Sequence, residues 1–465
     1  MMLRMRLSAC VVLLTMCGCA PYKYHSMPVS TPKLAASLET RSLDNAGLRD
    51  WMTQAAGFEP SSWPKTTWDL RSLTLAAYYF NPDMDVARAN AAAAAAAIKT
   101  AAMKPNPTVG SDAGYETSPD VPYLMGFNFS LPIETAGKRG YRIAEATHFS
   151  EASRLQVTAT AWSVRSRVRA ALVDLLFADQ AAATLSAQVG AQSQYVGLLE
   201  TRFRAGEIPL PEVTTARIDL TNSRQALRAA EGQVGTARAA LAAAVGIPLS
   251  GLADKTVDWA GVDKPPAPDA LPARSVRAEA VANRLDVRSA LAHYDASQSR
   301  LQLEAARQYP DINLGPGYAF EEGTHLISLQ LSTVLPLRNH NEGPIAEAEA
   351  QRKLAGVQLL AAQSTVIAQT DKALAQYDAA YASLEEARRV VAQADEQRQT
   401  AYRWLKAGEA DLLTAVSADI QAAVAERTRV DALHQSQLAL GMLEDALQRP
   451  ISPATAPALP EKAPR

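Results

Sequence analysis

The chain has 465 residues, with 46 basic and 48 acidic side chains and a formal net charge of −2. Because this balance provides no large basic surface, nucleic acid is excluded as an expected partner. Hydrophobic residues make up 48% of the chain but aromatic residues only 6%, and alanine is prominent among the rest. This composition predicts thin, closely packed helices rather than one thick globular core.

The first 18 residues have the pattern of a secretory signal peptide. Arg4 and Arg6 precede an apolar run at 7–16 that is too short to cross a membrane as a helix. Cys19 then follows a small residue, as in a lipobox, and is predicted to become the lipid-modified first residue of the mature chain. The alternative is an ordinary cleaved signal with incidental cysteines. Because removal of the signal peptide leaves Cys19 as the only cysteine, no disulfide framework is expected.

The second half of the chain repeats landmarks of the first half in the same order, at a spacing of about 203 residues. Asn81 and Arg284 each precede an Ala-rich helix, and the sequence AGE occurs at 205–207 and again at 407–409. The chain is therefore predicted to be internally duplicated. The predicted segments are the signal peptide at 1–18, a lipidated N-terminal segment at 19–70, a first repeat at 71–247, a linker at 248–274, a second repeat at 275–451 and a disordered tail at 452–465.

Each repeat contains two segments in which apolar and polar residues alternate with the period of a β-strand. Phe127 and Phe129, for example, alternate with Asn128 and Ser130. On this pattern alone, a soluble half-buried hairpin is favoured over a lipid-facing barrel strand. Export of the chain and the length of the adjoining helices reverse that choice. The predicted strands lie at about 108–117, 123–131, 311–320 and 325–335.

Four strands cannot close a barrel, and an open sheet edge is not viable in lipid. Three chains would supply twelve strands, enough to close a barrel around an open lumen. Asp112, Glu116 and Asp311 fall on the polar side of the predicted strands. The lumen is therefore predicted to be acidic or neutral and to favour cations.

A long helix follows the strands in each repeat. Gly190 and Gly197 interrupt the stretch 137–205 well inside its length, but a helix tolerates them, so a helix of roughly 100 Å is predicted. Such length implies coiled-coil-like packing against neighbouring helices. The alanine run at 91–97 is predicted to be a packing surface with high helix propensity, not a functional site.

Several short motifs mark these elements: Asn81-Pro82-Asp83, Pro107, Leu131-Pro132 and the turns FRAGE (203–207) and LKAGE (405–409). With these motifs and the two-copy order, the sequence resembles the TolC family of outer-membrane efflux proteins over essentially the whole mature chain. The resemblance implies a mostly α-helical, internally duplicated chain with a small transmembrane β-barrel. It implies a homotrimer, whose 12-stranded outer-membrane β-barrel is continued by a long periplasmic α-helical barrel. It further implies a mixed equatorial region, formed by the N-terminal segment at 19–70, the linker at 248–274 and the C-terminal segment. It also implies contact with outer-membrane lipid, a periplasmic adaptor protein and an inner-membrane pump of the resistance-nodulation-division (RND) type.

In that family the two AGE turns would be the periplasmic tips of helical hairpins, at about 203–211 and 405–411. The alternative interpretation is that the turn residues only form and cap the turns. The residues expected to contact the adaptor are Phe203, Arg204, Gly206, Glu207, Leu405, Lys406, Gly408 and Glu409.

Many members of the family close the periplasmic end with carboxylates just beyond the second tip. Asp411 and Asp419 are the candidate gate residues in this chain. A three-fold ring of Asp411 would concentrate negative charge, whereas a lone Asp at a helix start is more often an N-terminal cap. Both interpretations of Asp411 stay open on the sequence.

The segment 131–146 resembles the heavy-metal branch of the family, whose members serve RND pumps that export cations of the cobalt-zinc-cadmium or copper-silver kind. The six histidines form no HxxxH or HExxH pattern, and neither a P-loop nor a GxSxG motif occurs. No resident metal, cofactor or enzymatic activity is therefore expected.

The predicted function is a passive exit duct in the outer membrane. One alternative is a periplasmic adaptor lipoprotein, which would carry one long hairpin and no lipid-facing strands. A second alternative is an envelope hydrolase on a helical scaffold, which would need a paired nucleophile and base.

Overall fold

The computed structural model of the chain describes residues 23–54, 57, 62–115, 117, 123–270, 278, 281–321 and 323–451. The predictions for the signal peptide, Cys19, Glu116 and the tail at 452–465 lie outside these residues. Residues 23–40 belong to a unit of their own. In it an extended stretch leads into helix α1 (Thr31–Glu39), none of whose side chains is buried.

The second unit begins at Arg41 and contains both repeats. Its helices are α2 (Ala46–Gln54), α3 (Leu70–Phe80), α4 (Pro82–Ala101), α5 (Lys138–Arg204), α6 (Leu210–Val245), α7 (Leu285–Ala306), α8 (Glu342–Ala407) and α9 (Leu412–Leu447). Its strands are β1 (Thr67–Trp68), β2 (Thr108–Tyr115), β3 (Tyr123–Ile133), β4 (Thr256–Val257), β5 (Ile312–Glu321) and β6 (Thr324–Thr333). Short 3-10 turns occur at Leu249–Leu252 and Pro268–Ala270.

Each repeat has one medium helix, a β-hairpin and a helical hairpin, in the order α4-β2-β3-α5-α6 and then α7-β5-β6-α8-α9. In both repeats, the residue before the first helix donates a side-chain hydrogen bond to a carbonyl at the end of the last helix, although the two side chains differ. Asn81 caps α4 and donates to the carbonyl of Ala244 at the end of α6, at 3.0 Å. Arg284, which precedes α7, donates to the carbonyl of Ala446 at the end of α9, at 3.1 Å.

The helices pack side by side along their lengths. Helix α5 pairs with α6, α8 pairs with α9, and contacts between α5 and α9 join the two hairpins. Helix α4 packs on α5, and α7 packs on both α5 and α8. At 67 and 66 residues, α5 and α8 are each roughly 100 Å long.

Helix α5 includes a stretch with a mean hydropathy of 1.3, long and apolar enough by composition to cross a membrane. Within the protein, 39% of that stretch is buried. Its apolar residues contribute to the largest core, where Leu172 and Leu175 of α5 pack with Leu73 of α3 and Leu241 of α6. The apolar character of α5 is thus used in helix packing.

The four longer strands form one antiparallel sheet in the order β2-β3-β5-β6. Its register places Leu131 of β3 opposite Leu314 of β5, and Leu314 opposite Leu331 of β6. In β2 and β3, Val109 lies opposite Phe129. Because side chains alternate along each strand, these residues lie on one apolar face. That face is open to the surroundings, and three of its β6 side chains are among the most exposed apolar groups: Ile327 (85%), Leu329 (71%) and Leu331 (69%).

The opposite face of the sheet is polar and rich in small residues. Asn128 donates to the carboxylate of Asp112 on the neighbouring strand, at 3.3 Å. A Cβ at Gly110 would lie 2.2 Å from the Asn128 side-chain oxygen, so any larger residue there would displace the Asn128 side chain. One apolar face and one polar face are what a strand between lipid and a water-filled lumen requires.

Aromatic residues gather at the end of the sheet farthest from the helices. Tyr115 and Tyr123 pack edge to face across the β2-β3 hairpin, with ring centroids 5.6 Å apart. In the second hairpin, Tyr318 stacks on His325, and its hydroxyl lies 2.7 Å from the ring Nδ1. A belt of this kind is typical of strands that reach a membrane–water interface.

Candidate functional site

Both helical hairpins turn at a glycine in the left-handed conformation. Gly206 has φ 77° and Gly408 has φ 76°. After the first glycine, Glu207 donates its backbone N–H to the carbonyl of Arg202 at 3.0 Å, and after the second, Glu409 donates to Trp404 at 2.9 Å. These are the capping bonds of a Schellman motif. A Cβ at either glycine would meet no atom within 4 Å, so the backbone conformation alone favours glycine.

Most of the side chains predicted to contact an adaptor are accessible at these tips. Phe203 is 39% exposed, and Leu405 is half-buried. The charged members of the set are all exposed, namely Arg204, Glu207, Lys406 and Glu409.

Sequence reasoning missed the largest apolar group at the tips. Trp404, directly before the predicted Leu405, is 51% exposed. Leu210 and Leu412, at the starts of the returning helices, are 51% and 39% exposed. An aromatic residue beside the turn could have suggested Trp404. It was not selected because the first repeat has Arg202 at the equivalent position, so the two repeats do not match there.

Asp411 is the N-cap of α9 and also joins the two hairpins. One carboxylate oxygen accepts from the backbone N–H of Thr414 at 2.8 Å and from its hydroxyl at 2.7 Å. The other oxygen accepts from the guanidinium of Arg202 on α5. The Thr414 hydroxyl, the Thr414 N–H and then Arg202 lower the pKa of Asp411 to about 2. Capping and a link between hairpins therefore occur together at this residue.

Asp419 lies two turns farther along α9 and has a different partner. Its carboxylate accepts from the hydroxyl of Tyr402 on α8, at 2.6 Å. This hydrogen bond to Asp419 raises the pKa of Tyr402. Asp411 thus links α9 to the first hairpin, whereas Asp419 links the two helices of the second hairpin, α8 and α9.

The region between the two tips is partly apolar. Val196, Leu199, Val213 and Leu220 form a small core in the first hairpin, and Leu413 of the second hairpin packs against it. Beside this contact lies an open groove of about 640 Å³, lined by residues that include Tyr195, Trp404, Thr414 and Ser417.

Farther from the tips, the α5–α9 contact becomes buried and charged. Glu444 of α9 accepts from Arg165 of α5 at 3.1 Å and lies 3.3 Å from the Nε of Arg169. All three residues are at most 3% exposed. A Cβ at Gly441 would lie 2.3 Å from Arg169, so this glycine leaves room for the guanidinium. Between this cluster and the tips, His434 lies 2.8 Å from Asp174.

The segment 131–146, which resembles the heavy-metal branch, ties the sheet to the helices. Lys138 forms an ion pair with Asp311 at 2.7 Å, and Arg142 pairs with Glu134. Arg139 donates to the carbonyl of Ala102 at the end of α4, at 2.7 Å. These polar groups are engaged in the protein's own structure. Within the described part of the chain, no group of three or more His, Cys, Asp or Glu side chains is arranged to hold a metal ion.

A protein-family comparison decides the identity of the fold. The model described as outer membrane efflux protein matches residues 77–247 and 276–447, one match for each repeat. The chain belongs to the outer membrane efflux protein family. The predicted membership of the TolC-type outer-membrane efflux proteins is thereby confirmed, and the chain is an outer-membrane protein.

One known metal-resistance protein is similar to this chain in sequence. The cobalt-zinc-cadmium resistance protein CzcC of Cupriavidus metallidurans is 27% identical over 236 residues, which are 50% of this chain and 54% of CzcC. The match thus spans about half the length of that curated relative.

Solved structures share the fold over more of the chain. The outer membrane protein VceC of Vibrio cholerae has a TM-score of 0.65 at 19% identity, with 82% of this chain and 97% of VceC covered. The MtrE outer membrane channel of Neisseria gonorrhoeae has a TM-score of 0.65 at 17% identity, with 82% and 89% covered. The predicted fold class, an internally duplicated and mostly helical chain of this family, is confirmed.

Proposed function

We propose that this protein is the outer-membrane channel of a tripartite efflux system, a passive exit duct for solutes delivered by an inner-membrane RND pump and a periplasmic adaptor. One observation carries the proposal. An open four-stranded sheet with one apolar face continues directly into two helical hairpins, each roughly 100 Å long. A sheet with open edges is not viable in lipid until the edges are paired.

The internal duplication supports a homotrimer. Helix α7 packs between two long helices, α5 and α8, whereas its counterpart α4 packs on α5 along one side. By the symmetry of the repeats, the second neighbour of α4 would be the α8 helix of another copy. Three copies in this arrangement supply twelve strands and close a barrel with an open lumen.

The surfaces that this arrangement would cover are apolar. Leu354, Val357 and Leu360 of α8 are 57%, 57% and 66% exposed in the single chain. None of the alanines at 91–97 in α4 is buried. The packing surface predicted from that run is thus only partly covered within one chain, and a neighbouring copy would cover the rest.

The oligomeric mass tests the trimer. We expect the protein, extracted and purified in detergent, to have three times the protein mass of one chain by light scattering. A stable monomer, folded without detergent, would instead favour the alternative of a periplasmic adaptor lipoprotein.

The adaptor would dock on the two hairpin tips. Support comes from exposed side chains on rigid, glycine-capped turns, and from the apolar surface of Trp404 beside the second turn. The proposed contact residues are Phe203, Arg204, Gly206, Glu207, Leu405, Lys406, Gly408 and Glu409, with Trp404 added. Asp411 and Asp419 are the proposed gate residues, and Asp411 is the better supported because it links the hairpins.

The proposed cargo is a heavy-metal cation. Support comes from the cobalt-zinc-cadmium resistance protein to which the chain is similar, and from the Asp112 carboxylate on the polar face of the sheet. Deletion of the gene should sensitise cells to cobalt, zinc or cadmium, and the intact gene should restore resistance. If deletion sensitises cells to organic compounds and leaves their metal tolerance unchanged, the metal proposal fails and the duct remains.

Two further assignments complete the proposal. Cys19 would carry the lipid anchor, so mass spectrometry of the mature N-terminal peptide should show an acylated cysteine; an unmodified Cys19 would contradict it. We also infer that the protein is a channel and not an enzyme, in keeping with the family to which it belongs.

A further inference from the structure

The two edges of the sheet differ in how far they extend. Strand β2 runs from Thr108 to Tyr115, and β6 runs from Thr324 to Thr333 with all ten residues exposed. Among the described strands, β2 pairs with β3 alone and β6 with β5 alone. The chain after β6 continues with exposed apolar residues: Val334 (73%), Leu335 (67%) and Leu337 (80%).

We propose that β6 of one copy pairs antiparallel with β2 of the next copy, with Leu335 opposite Ser111 and Leu337 opposite Val109, and that this pairing extends β6 as far as Leu337. The proposal rests on the homotrimer proposed above and specifies how its barrel closes. The occupant of each open edge is a second copy of this chain.

The contact between the repeats inside one chain provides the template. Ser130 of β3 lies opposite Thr108, the first residue of β2. Strand β3 continues for three residues beyond Ser130, and these three pair with β5 alone. In that stretch Leu131 lies opposite Leu314 and Ile133 lies opposite Ile312. The Leu-Pro sequence of β3 occurs again after β6, as Leu335-Pro336. These residues lie beyond Thr333, the partner of the first residue of β5, and so have no partner strand within the sheet.

Equivalent residues transfer the register from one contact to the other. Val109 is the second residue after Pro107, and Ile312 is the second residue after Pro310. Leu131 corresponds to Leu335, so Ile133 corresponds to Leu337. The observed pair Ile133–Ile312 therefore becomes Leu337–Val109 between copies.

A proline in the extension is compatible with this pairing. Proline lacks the N–H that a central strand needs, and it is normally confined to edges and bulges. Here Pro132 already lies within the ladder, opposite Asn313. Pro336 would occupy the equivalent position, opposite Gly110.

The two faces of the sheet give an independent check. The odd-numbered residues of β2 and β6 lie on the apolar face, as shown by the pairs Val109–Phe129 and Leu314–Leu331. The proposed pairing sets odd-numbered residues against odd-numbered residues. A slip of one residue would place the apolar residues of one copy beside the polar residues of the next, so it is excluded.

The pairing also accounts for the exposed residues after β6. Leu335 and Leu337 would join the lipid-facing surface below Leu331, where apolar side chains are stabilised. In the single chain the N–H of Leu337 donates to the carbonyl of Leu335 at 2.9 Å. This tight turn would open when the strand extends.

Cysteine cross-linking in the full-length protein tests the register. The variant Ser111→Cys/Leu335→Cys should form covalent dimers and trimers on mild oxidation, seen on non-reducing gels. The matched pairs Val109→Cys/Leu335→Cys and Ala113→Cys/Leu335→Cys keep the same face but shift the register by two residues. They should cross-link several-fold less. Each single-cysteine variant is a further control, because it shows any cross-linking through the native cysteines near the N-terminus.

The outcomes separate this proposal from the one it rests on. Stronger cross-linking by either shifted pair would overturn the register. A trimeric protein in which none of the three pairs cross-links would overturn the pairing of β6 with β2 and leave the trimer intact. A monomeric protein would overturn the trimer itself.

Discussion

Arg202, in the last turn of α5, donates to the carboxylate of Asp411, the residue that caps α9, so an ion pair joins the two hairpin tips of one chain. Both side chains are more than one-third exposed. Exposed ion pairs contribute about 1 kcal/mol or less, so this link is easily broken. Farther from the tips, the same two helices are held together by the buried Glu444 cluster, between the last turns of α9 and the middle of α5. The hairpins are therefore joined firmly at one level and weakly at the tips.

Arg202→Gln should increase the single-channel conductance, because it removes the link between the tips while keeping a polar side chain of similar length. Arg217→Gln is the matched control, since Arg217 pairs with Glu200 within the first hairpin and does not join the two hairpins. Equal conductance changes in the two variants would show that the inter-hairpin link has no special role.

Asp411→Ala and Asp411→Ser separate the two roles of this residue. Serine can still cap α9, whereas alanine removes the cap at a cost of about 1 kcal/mol. Both variants lose the ion pair, so both should increase conductance by the same amount, and only Asp411→Ala should lower heat stability. If Asp411→Ser conducts like the unmodified protein, the cap and not the ion pair closes the tips.

The link should be insensitive to pH over the range in which cells live. The pKa of Asp411 is about 2, below its ordinary 3.8, so its contribution is complete above the ordinary value and is lost as pH falls towards 2. Conductance should therefore stay constant from about pH 8 to 5 and rise only below about pH 4. A step in conductance near neutral pH would contradict control by Asp411.

Glu444→Gln should strongly destabilise the protein. It leaves two buried arginines without their shared carboxylate, and breaking a buried ion pair in this way costs roughly 3–5 kcal/mol. Glu426→Gln is the control on the same helix, because Glu426 pairs with Arg429 nearer the surface. The temperature at which the oligomer dissociates on gels should fall markedly for Glu444→Gln and little for Glu426→Gln. Similar temperatures would contradict the anchoring role.

Trp404→Ala should weaken adaptor binding without changing heat stability, since Trp404 is half exposed and next to a tip. Loss of an aromatic anchor at an interface costs about 2 kcal/mol, or roughly 30-fold in Kd. Tyr309→Ala is the control, because Tyr309 is 64% exposed near the sheet. Binding curves with the purified adaptor compare the two. Unchanged binding by Trp404→Ala would remove this residue from the contact surface.

The repeat pattern of the sequence was sufficient to predict the fold because its signals are local. Alternation of apolar and polar residues marks the strands, and glycine in the AGE sequence marks each tip. Contacts between the repeats could not be predicted in that way. Arg202 and Asp411 are not equivalent positions, since the alignment sets Arg202 against Trp404 and Asp411 against Pro209. Their pairing depends on how the two hairpins pack.

The segment 131–146 shows a second limit of sequence reasoning. Its resemblance to the heavy-metal branch suggested a link to the cargo, but Lys138, Arg139 and Arg142 are used to hold the sheet on the helices. Lys138 reaches Asp311, which belongs to the other repeat. Such a partner becomes evident only when the two hairpins of the sheet lie side by side.

Single-channel recording in planar bilayers, with ion selectivity measured alongside, tests the central claim most directly. If the protein is a trimeric outer-membrane duct, the purified protein should insert and give discrete conductance steps that prefer cations. A folded preparation that stays soluble without detergent and gives no conductance steps would contradict it.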